Sequence, residues 1–238
     1  MKILYIFPHP DDESFGPSAA MSAQMRVGHQ VFLLTLTKGG ATKQRHKYGY
    51  SVDEMGEVRY REMLNVEKAL GLSGMTVLDL PDSGLKEMDP REIEKVVEEE
   101  IKKIKPDVVV SYAVYGVSGF HDHLVMHAVA KRVFLQMKDD GADYLKRLAF
   151  FTLSKKDLEQ KKDTNAFNIQ SSPDELIDCQ TPINEEDKNK MRAGLDCYVT
   201  FQETIKNVGV ADMFGDFVSF EIFGEDHKPP LKDICEKL

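Results

Sequence analysis

The stretch that most constrains this chain lies near its start: Phe7-Pro8-His9-Pro10-Asp11-Asp12-Glu13-Ser14. The apolar run before it, Ile3 to Phe7, reads as a strand buried on both faces of a parallel sheet. Phe15 to Arg26 after it reads as a helix. A strand that passes through a polar turn into a helix predicts a binding position, because open α/β sheets take ligands beyond the carboxyl ends of their strands. His9 and Asp12 can converge there on one cation, and imidazole nitrogen with carboxylate oxygen suits zinc or a similar divalent ion. Asp11 is left as a carboxylate beside the metal that need not ligate it. A helix cap needs one acid, whereas three follow the histidine here.

At 238 residues the chain can bury a full core. A single α/β domain over 1–238 is expected, with the core sheet and site in about 1–154 and residues 155–238 as a C-terminal extension packed on it. The formal net charge of −9 argues against a nucleic-acid partner. No run reaches the roughly 18 apolar residues of a membrane-crossing helix, so no membrane insertion is expected. Met1 to Phe7 is too short for a signal-peptide core. Cys179, Cys197 and Cys235 are odd in number and widely spaced, which fits a reducing cytoplasm and neither a disulfide frame nor a cysteine zinc site. A homo-oligomer is left open.

Further along, Gln30 to Thr37 predicts a second strand, and Lys38 to Tyr50 a glycine-rich basic loop. That loop reads equally as a solvated segment or as a rim over the site. Asp53 to Leu70 predicts a helix closed by Gly71. Its Arg59 and Glu62, at i,i+3, need be no more than a surface ion pair. Met75 to Leu80 is a third strand, and the turn after it places Asp82 where it can face the pocket. Asp89 to about Lys105 is a helix with proline at its first position. Asp107 to Ala113, continuous and valine-rich, is a central parallel strand. Arg147 to Ser154 is a fifth strand. Phe167 to Gln170 and Glu175 to Thr181 read as short extended pieces, Glu185 to Asn207 as a long helix disturbed at Gly194, and Asp216 to Phe223 as a late strand. Pro229-Pro230 opens a lysine-rich tail.

The turn after the valine-rich strand gathers three of the seven histidines: His121, His123 and His127. With both strands central and adjacent, this turn would meet His9 and Asp12. A third ligand from it would complete three protein ligands with one open position, the pattern of catalytic zinc. A plainer reading has Asp122 capping a helix that starts near Leu124. His123 and His127, at i,i+4, could also share a metal, but that would leave His9 without a partner.

These residues resemble the PIG-L/LmbE-like N-acetylglucosamine deacetylases, marked by an HPDDE turn after the first strand and a G-H-P-D-H turn after a later one. His9 to Glu13 match the first mark completely. Thr37-Lys38-Gly39-Gly40, Arg59-x-x-Glu62 and Asp82 fit more loosely, over roughly Met1 to Lys138, with a fainter echo at Lys190 to Glu203. The resemblance implies a Rossmann-like, mostly parallel sheet with helices on both faces. It implies zinc, or another divalent metal, held by His9, Asp12 and His123, with Asp11 as general base and Arg59 and Asp82 on sugar hydroxyls. The implied activity is removal of acetyl from an N-acetylated amino sugar conjugate, a small-molecule substrate. The second mark departs from the family: its histidine is Phe120 here and its proline is His121. A phenyl ring cannot hydrogen-bond an oxyanion or protonate an amine, so His121 is the candidate for that work. The superfamily also includes a zinc-dependent hydratase of an unsaturated dicarboxylate, the alternative reading, for which Lys38, Lys43 and Arg45 on the basic loop would supply cations.

Overall fold

In the computed structural model, residues 1–159, 168–210 and 213–238 are described. Among these, seven strands form one sheet: β1 (Lys2–Phe7), β2 (Gln30–Thr37), β3 (Gly74–Leu80), β4 (Val108–Tyr112), β5 (Arg147–Thr152), β6 (Cys179–Pro182) and β7 (Phe217–Ile222), in the order β3-β2-β1-β4-β5-β7-β6. β1 to β5 pair in parallel, and β7 runs antiparallel between β5 and β6. The mostly parallel sheet expected from the sequence is therefore observed.

The continuous apolar runs of the central strands follow from burial on both sides. From β1, Ile3, Tyr5 and Phe7 pack on one face with α2 (Ser18–Arg26), α4 (Val52–Leu70) and α8 (Glu185–Cys197). Leu4 and Ile6 pack on the other with α5 (Pro90–Ile104) and α6 (His121–Asp139). β2 and β4 flank β1, so the chain leaves β1 toward one side of the sheet and reaches β4 on the other. The loops after β1 and β4 diverge, which opens a crevice at their carboxyl ends.

Several boundaries differ from expectation for identifiable reasons. The first helix is split into α1 (Asp12–Phe15) and α2, because Pro17 carries no N–H and disfavours helical geometry at Gly16. α6 starts at His121 instead of Leu124, with Phe120 as N-cap, so the histidine cluster lies on a helix and not in a loop. The basic loop contains α3 (Arg45–Tyr48). A short helix, α7 (Lys155–Glu159), follows β5. Phe167 lies outside the described residues, and residues 168–170 form no strand. A single helical turn, Asp174–Leu176, precedes β6. The C-terminal tail docks, with Leu231 bridging to Cys179 and Ile234 fully buried.

The long C-terminal helix breaks at Tyr198 (φ −83°, ψ 70°) into α8, a 3₁₀ turn and α9 (Gln202–Val208). Gly194 does not disturb it; it lets α8 seat closely. A Cβ there would lie 2.9 Å from Ser14 Oγ and 3.2 Å from a Leu70 methyl. Gly194→Val is therefore expected to lower stability by about 1–3 kcal/mol in urea unfolding. Gly194→Ala should lose less, since alanine regains about 1 kcal/mol of helix propensity. An unchanged midpoint for Gly194→Val would mean that α8 does not seat on α1.

Candidate metal centre

Asp11 is the sharpest local feature of the first turn. It sits in the left-handed region (φ 83°, ψ −23°), a conformation costing about 1–2 kcal/mol for a residue with a side chain, and one that aspartate tolerates comparatively well. Its carbonyl accepts the N–H groups of Ser14 and Phe15, which starts α1 without a side-chain cap. The turn thereby frees Asp12 to reach back: its Oδ2 accepts the His9 backbone N–H at 2.8 Å, and its Oδ1 accepts Tyr112 O–H at 2.8 Å.

The second turn delivers His123 to the same place. The His123 ring stacks on Tyr112 (centroids 4.3 Å apart), and its Nδ1–H donates to the Gly116 carbonyl at 2.9 Å. That leaves the Nε2 lone pair facing Asp12 Oδ1 at 3.2 Å. His9 turns its Nδ1 toward Asp12 Oδ2 (3.5 Å) and its Nε2 toward Asp122 Oδ2 (3.1 Å) and Asp82 Oδ1 (3.4 Å). Donor atoms of His9, Asp12 and His123 all fall within 4.8 Å of one another.

A divalent cation fits this set. His123 Nε2 and Asp122 Oδ1 are buried and make no hydrogen bond among the described residues. Two histidines and a carboxylate form a donor set that zinc accepts with a position to spare. The titration behaviour shows the same demand for positive charge. Burial alone would lower the His9 pKa, yet hydrogen bonds donated by its ring to Asp12 and Asp122 push it up to about 10. Burial would raise Asp12, but His123 and His9 hold it well below the usual carboxylate range. Asp11 is pushed up to about 6 by burial, with Arg59 opposing.

Arg59 borders the site and is not a surface residue, and the plainer reading of a surface ion pair with Glu62 does not hold. It is 3% exposed and donates to Asp11 Oδ2 (2.5 Å) and to the carbonyls of Pro10 (2.9 Å) and Gly39 (3.3 Å) while stacking on Phe201. Glu62 instead accepts the backbone and hydroxyl donors of Thr200. Asp82 does face the site, anchored by the Ala41 N–H at 2.6 Å. His127 is turned away, its Nδ1 on the Tyr112 carbonyl and its ring against Phe150, so it does not pair with His123 on one metal.

His9, Asp11, Asp12, Arg59, Asp82, His121 and His123 all border one cavity of about 670 Å³. Residues 41–44 of the basic loop form part of its wall, as the rim reading had it, while His46 is exposed. Glycine at 119, with φ 72°, sets up the turn into α6. Phe120 meets the His123 ring edge-on, and His121 stands exposed at the first position of α6. Sequence reasoning missed Asp122, read as a cap; its place beside His123 was the available signal. It also missed Tyr112 and Tyr198, which carry no motif.

Fold and site together define a Rossmann-like domain with a candidate divalent-metal centre at its topological switch point. The chain belongs to the PIG-L family, whose model, described as GlcNAc-PI de-N-acetylase, matches residues 4–134. It is 29% identical over 168 residues to the 1D-myo-inositol 2-acetamido-2-deoxy-alpha-D-glucopyranoside deacetylase of Kineococcus radiotolerans, covering 59% of this chain and 46% of that one. The chain spans about half the length of the first curated relatives it matches. Among solved structures it is similar to a deacetylase of teicoplanin biosynthesis (TM-score 0.70, 13% identity, 93% and 97% of the two chains). It is also similar to the 4-carboxy-2-hydroxymuconate hydratase of Pseudomonas putida (TM-score 0.64, 12% identity, 93% and 94%). At such identities these structures establish the shared fold alone.

Titration with zinc is expected to load about one ion per chain, and His9→Ala should abolish tight binding. Because metal-free His9 keeps its proton up to about 10, uptake at neutral pH displaces that proton, so affinity should rise with pH. Calorimetry in buffers of different ionisation enthalpy reads this directly. Affinity independent of pH, or full loading of His9→Ala, would contradict the assignment.

Proposed function

We propose that the chain is a metal-dependent hydrolase that removes acetyl from an N-acetylated amino sugar conjugate, with His9, Asp12 and His123 holding zinc or another divalent ion. The carrying observation is a donor triad and a separate, ionisable carboxylate, Asp11, bordering one cavity. When bound, the ion would lower the pKa of a water to about 7 and polarise the acyl oxygen. Asp11, held by Arg59 and its own strained turn, takes the proton from the attacking water. Asp122 accepts from His9 Nε2 and keeps that ring's other nitrogen turned inward. His121 at the cavity edge supplies the proton to the leaving amine or a contact to the oxyanion. Asp82 offers a carboxylate to sugar hydroxyls. Arg59 serves Asp11 first, and any sugar contact is made from its cavity edge.

The relatives named as deacetylases of acetamido sugar conjugates support this reading. Electrostatics weigh against a dicarboxylate hydratase. Lys38 is paired with Glu57 and Asp79, and of the three loop cations only Lys43 borders the cavity among the described residues. Of the aspartates that border it, Asp82 and Asp122 are neither named ligands nor paired with Arg59, and they would repel a dianion.

Asp11→Asn should retain the metal and lose turnover by about a hundredfold or more. A base must be ionised to work, so kcat/KM of the wild type should fall as pH drops through about 6, and a cation beside Asp11 can only move that limb lower. The assay is amine release from the inositol conjugate that the curated relatives' names specify, beside other N-acetylglucosamine conjugates and unsaturated dicarboxylates. Unchanged turnover in Asp11→Asn would remove the base from the mechanism. Water addition without amine release would establish the hydratase.

A further inference from the structure

The third acid of the first turn, Glu13, is used neither as a ligand nor as the base in this account, yet it is fully buried. Its Oε1 accepts the Ser14 hydroxyl at 2.6 Å and the Tyr198 hydroxyl at 2.7 Å. Tyr198 is also fully buried, and it comes from the far end of the sequence, at the break between α8 and the following 3₁₀ turn. Its single hydroxyl proton lies between Glu13 Oε1 (2.7 Å) and Met63 Sδ (2.8 Å), the carboxyl oxygen being the stronger acceptor, so the oxygen's lone pairs are left for donors. One accepts the Asp11 backbone N–H at 2.8 Å. The relay therefore runs from Glu13 through Tyr198 to the main chain of the residue held in the left-handed conformation.

We infer that Tyr198, oriented by Glu13, is a positioning residue for Asp11. It satisfies the one backbone donor of Asp11, while Arg59 holds the carboxylate from the opposite end. With its carbonyl held by the Ser14 and Phe15 N–H groups and its carboxylate by Arg59, the left-handed Asp11 has its amide as the remaining backbone grip, and loss of that grip frees the preceding peptide to turn and the carboxylate direction to shift. The break in α8 is part of the same device. At Tyr198 a φ of −83° stays close to the helical value, so α8 itself carries the hydroxyl to Asp11, and a ψ of 70° turns the chain that follows, which brings Thr200 to Glu62 and Phe201 under Arg59. The inference rests on the reading of Asp11 as the base for its catalytic consequence, and on geometry alone for the contact.

Two measurements separate these layers. Amide hydrogen exchange followed by NMR should find the Asp11 N–H protected in the wild type. In Tyr198→Phe it should exchange faster, while the amides of Ile3 to Phe7 keep their protection. Rapid exchange of Asp11 in the wild type, or protection unchanged in Tyr198→Phe, would overturn the inference. In the amine-release assay, Tyr198→Phe should lower kcat by on the order of ten- to a hundredfold, with KM and zinc content unchanged. Combined with Asp11→Asn it should cost nothing further, because a positioning residue has nothing to position once the base is gone. Additive losses in the double variant would assign Tyr198 a merely structural role and overturn the inference. If Asp11→Asn itself proves fully active, the base reading fails, and the exchange data alone then decide whether Tyr198 holds Asp11.

Discussion

β1 and β4 lie side by side and send the chain to opposite sides of the sheet, and the site depends on that divergence. In register, Tyr5 of β1 pairs with Val110 of β4, so both strands end at the same height. The turn after β1 must then accommodate His9 and Asp12 opposite the turn carrying Asp122 and His123. Four side chains of complementary charge are forced into one crevice whose walls are apolar on both faces of the sheet. In so poorly solvated a place their charges cannot be left to water. The hydrogen bonds of Tyr112 and of the His9 backbone to Asp12, and of His123 to the Gly116 carbonyl, fix which lone pairs remain. What remains is a set of donors aimed at a cation.

Arg59 and the aspartates around it show how the surplus of acid is managed. Its guanidinium lies over Phe201 and binds two backbone carbonyls as well as Asp11, so it joins the turn after β1, the turn after β2 and α4 into one unit. Burial raises Asp11 toward neutrality and Arg59 keeps it ionisable, the balance a base near physiological pH requires. Asp82 and Asp122 share the Nε2 side of His9, which leaves its Nδ1 side turned to Asp12.

The local parts of this were legible in the sequence. The apolar run into His9-Pro10-Asp11-Asp12 specified a buried strand and a polar turn, and Val108 to Tyr112 specified its central neighbour. The start of α6 was misplaced because a helix whose first turn is His-Asp-His carries no side-chain cap to mark it. The Gly16-Pro17 break was readable in principle, since proline forbids a continuous helix there. The spacing of Arg59 to Glu62 alone allowed an exposed pair, and the resemblance put Arg59 on sugar hydroxyls; its grip on Asp11 was not legible, because the return of Thr200 and Phe201 from the C-terminal segment is what buries both side chains. Tyr198 was illegible for the same reason. Its partners lie some two hundred residues upstream, at Asp11 and Glu13, and no local pattern encodes a contact of that range.

In the proposed reaction, water deprotonated by Asp11 attacks the acyl carbon of an acetamide bordering this triad. Incubation of the zinc-loaded protein with an N-acetylglucosamine conjugate in ¹⁸O-labelled water tests it most directly. Free amine is expected together with acetate carrying one ¹⁸O atom, with both products about a hundredfold or more scarcer from the Asp11→Asn protein. Acetate released without label, or label found only in a hydrated dicarboxylate supplied in parallel, would contradict it.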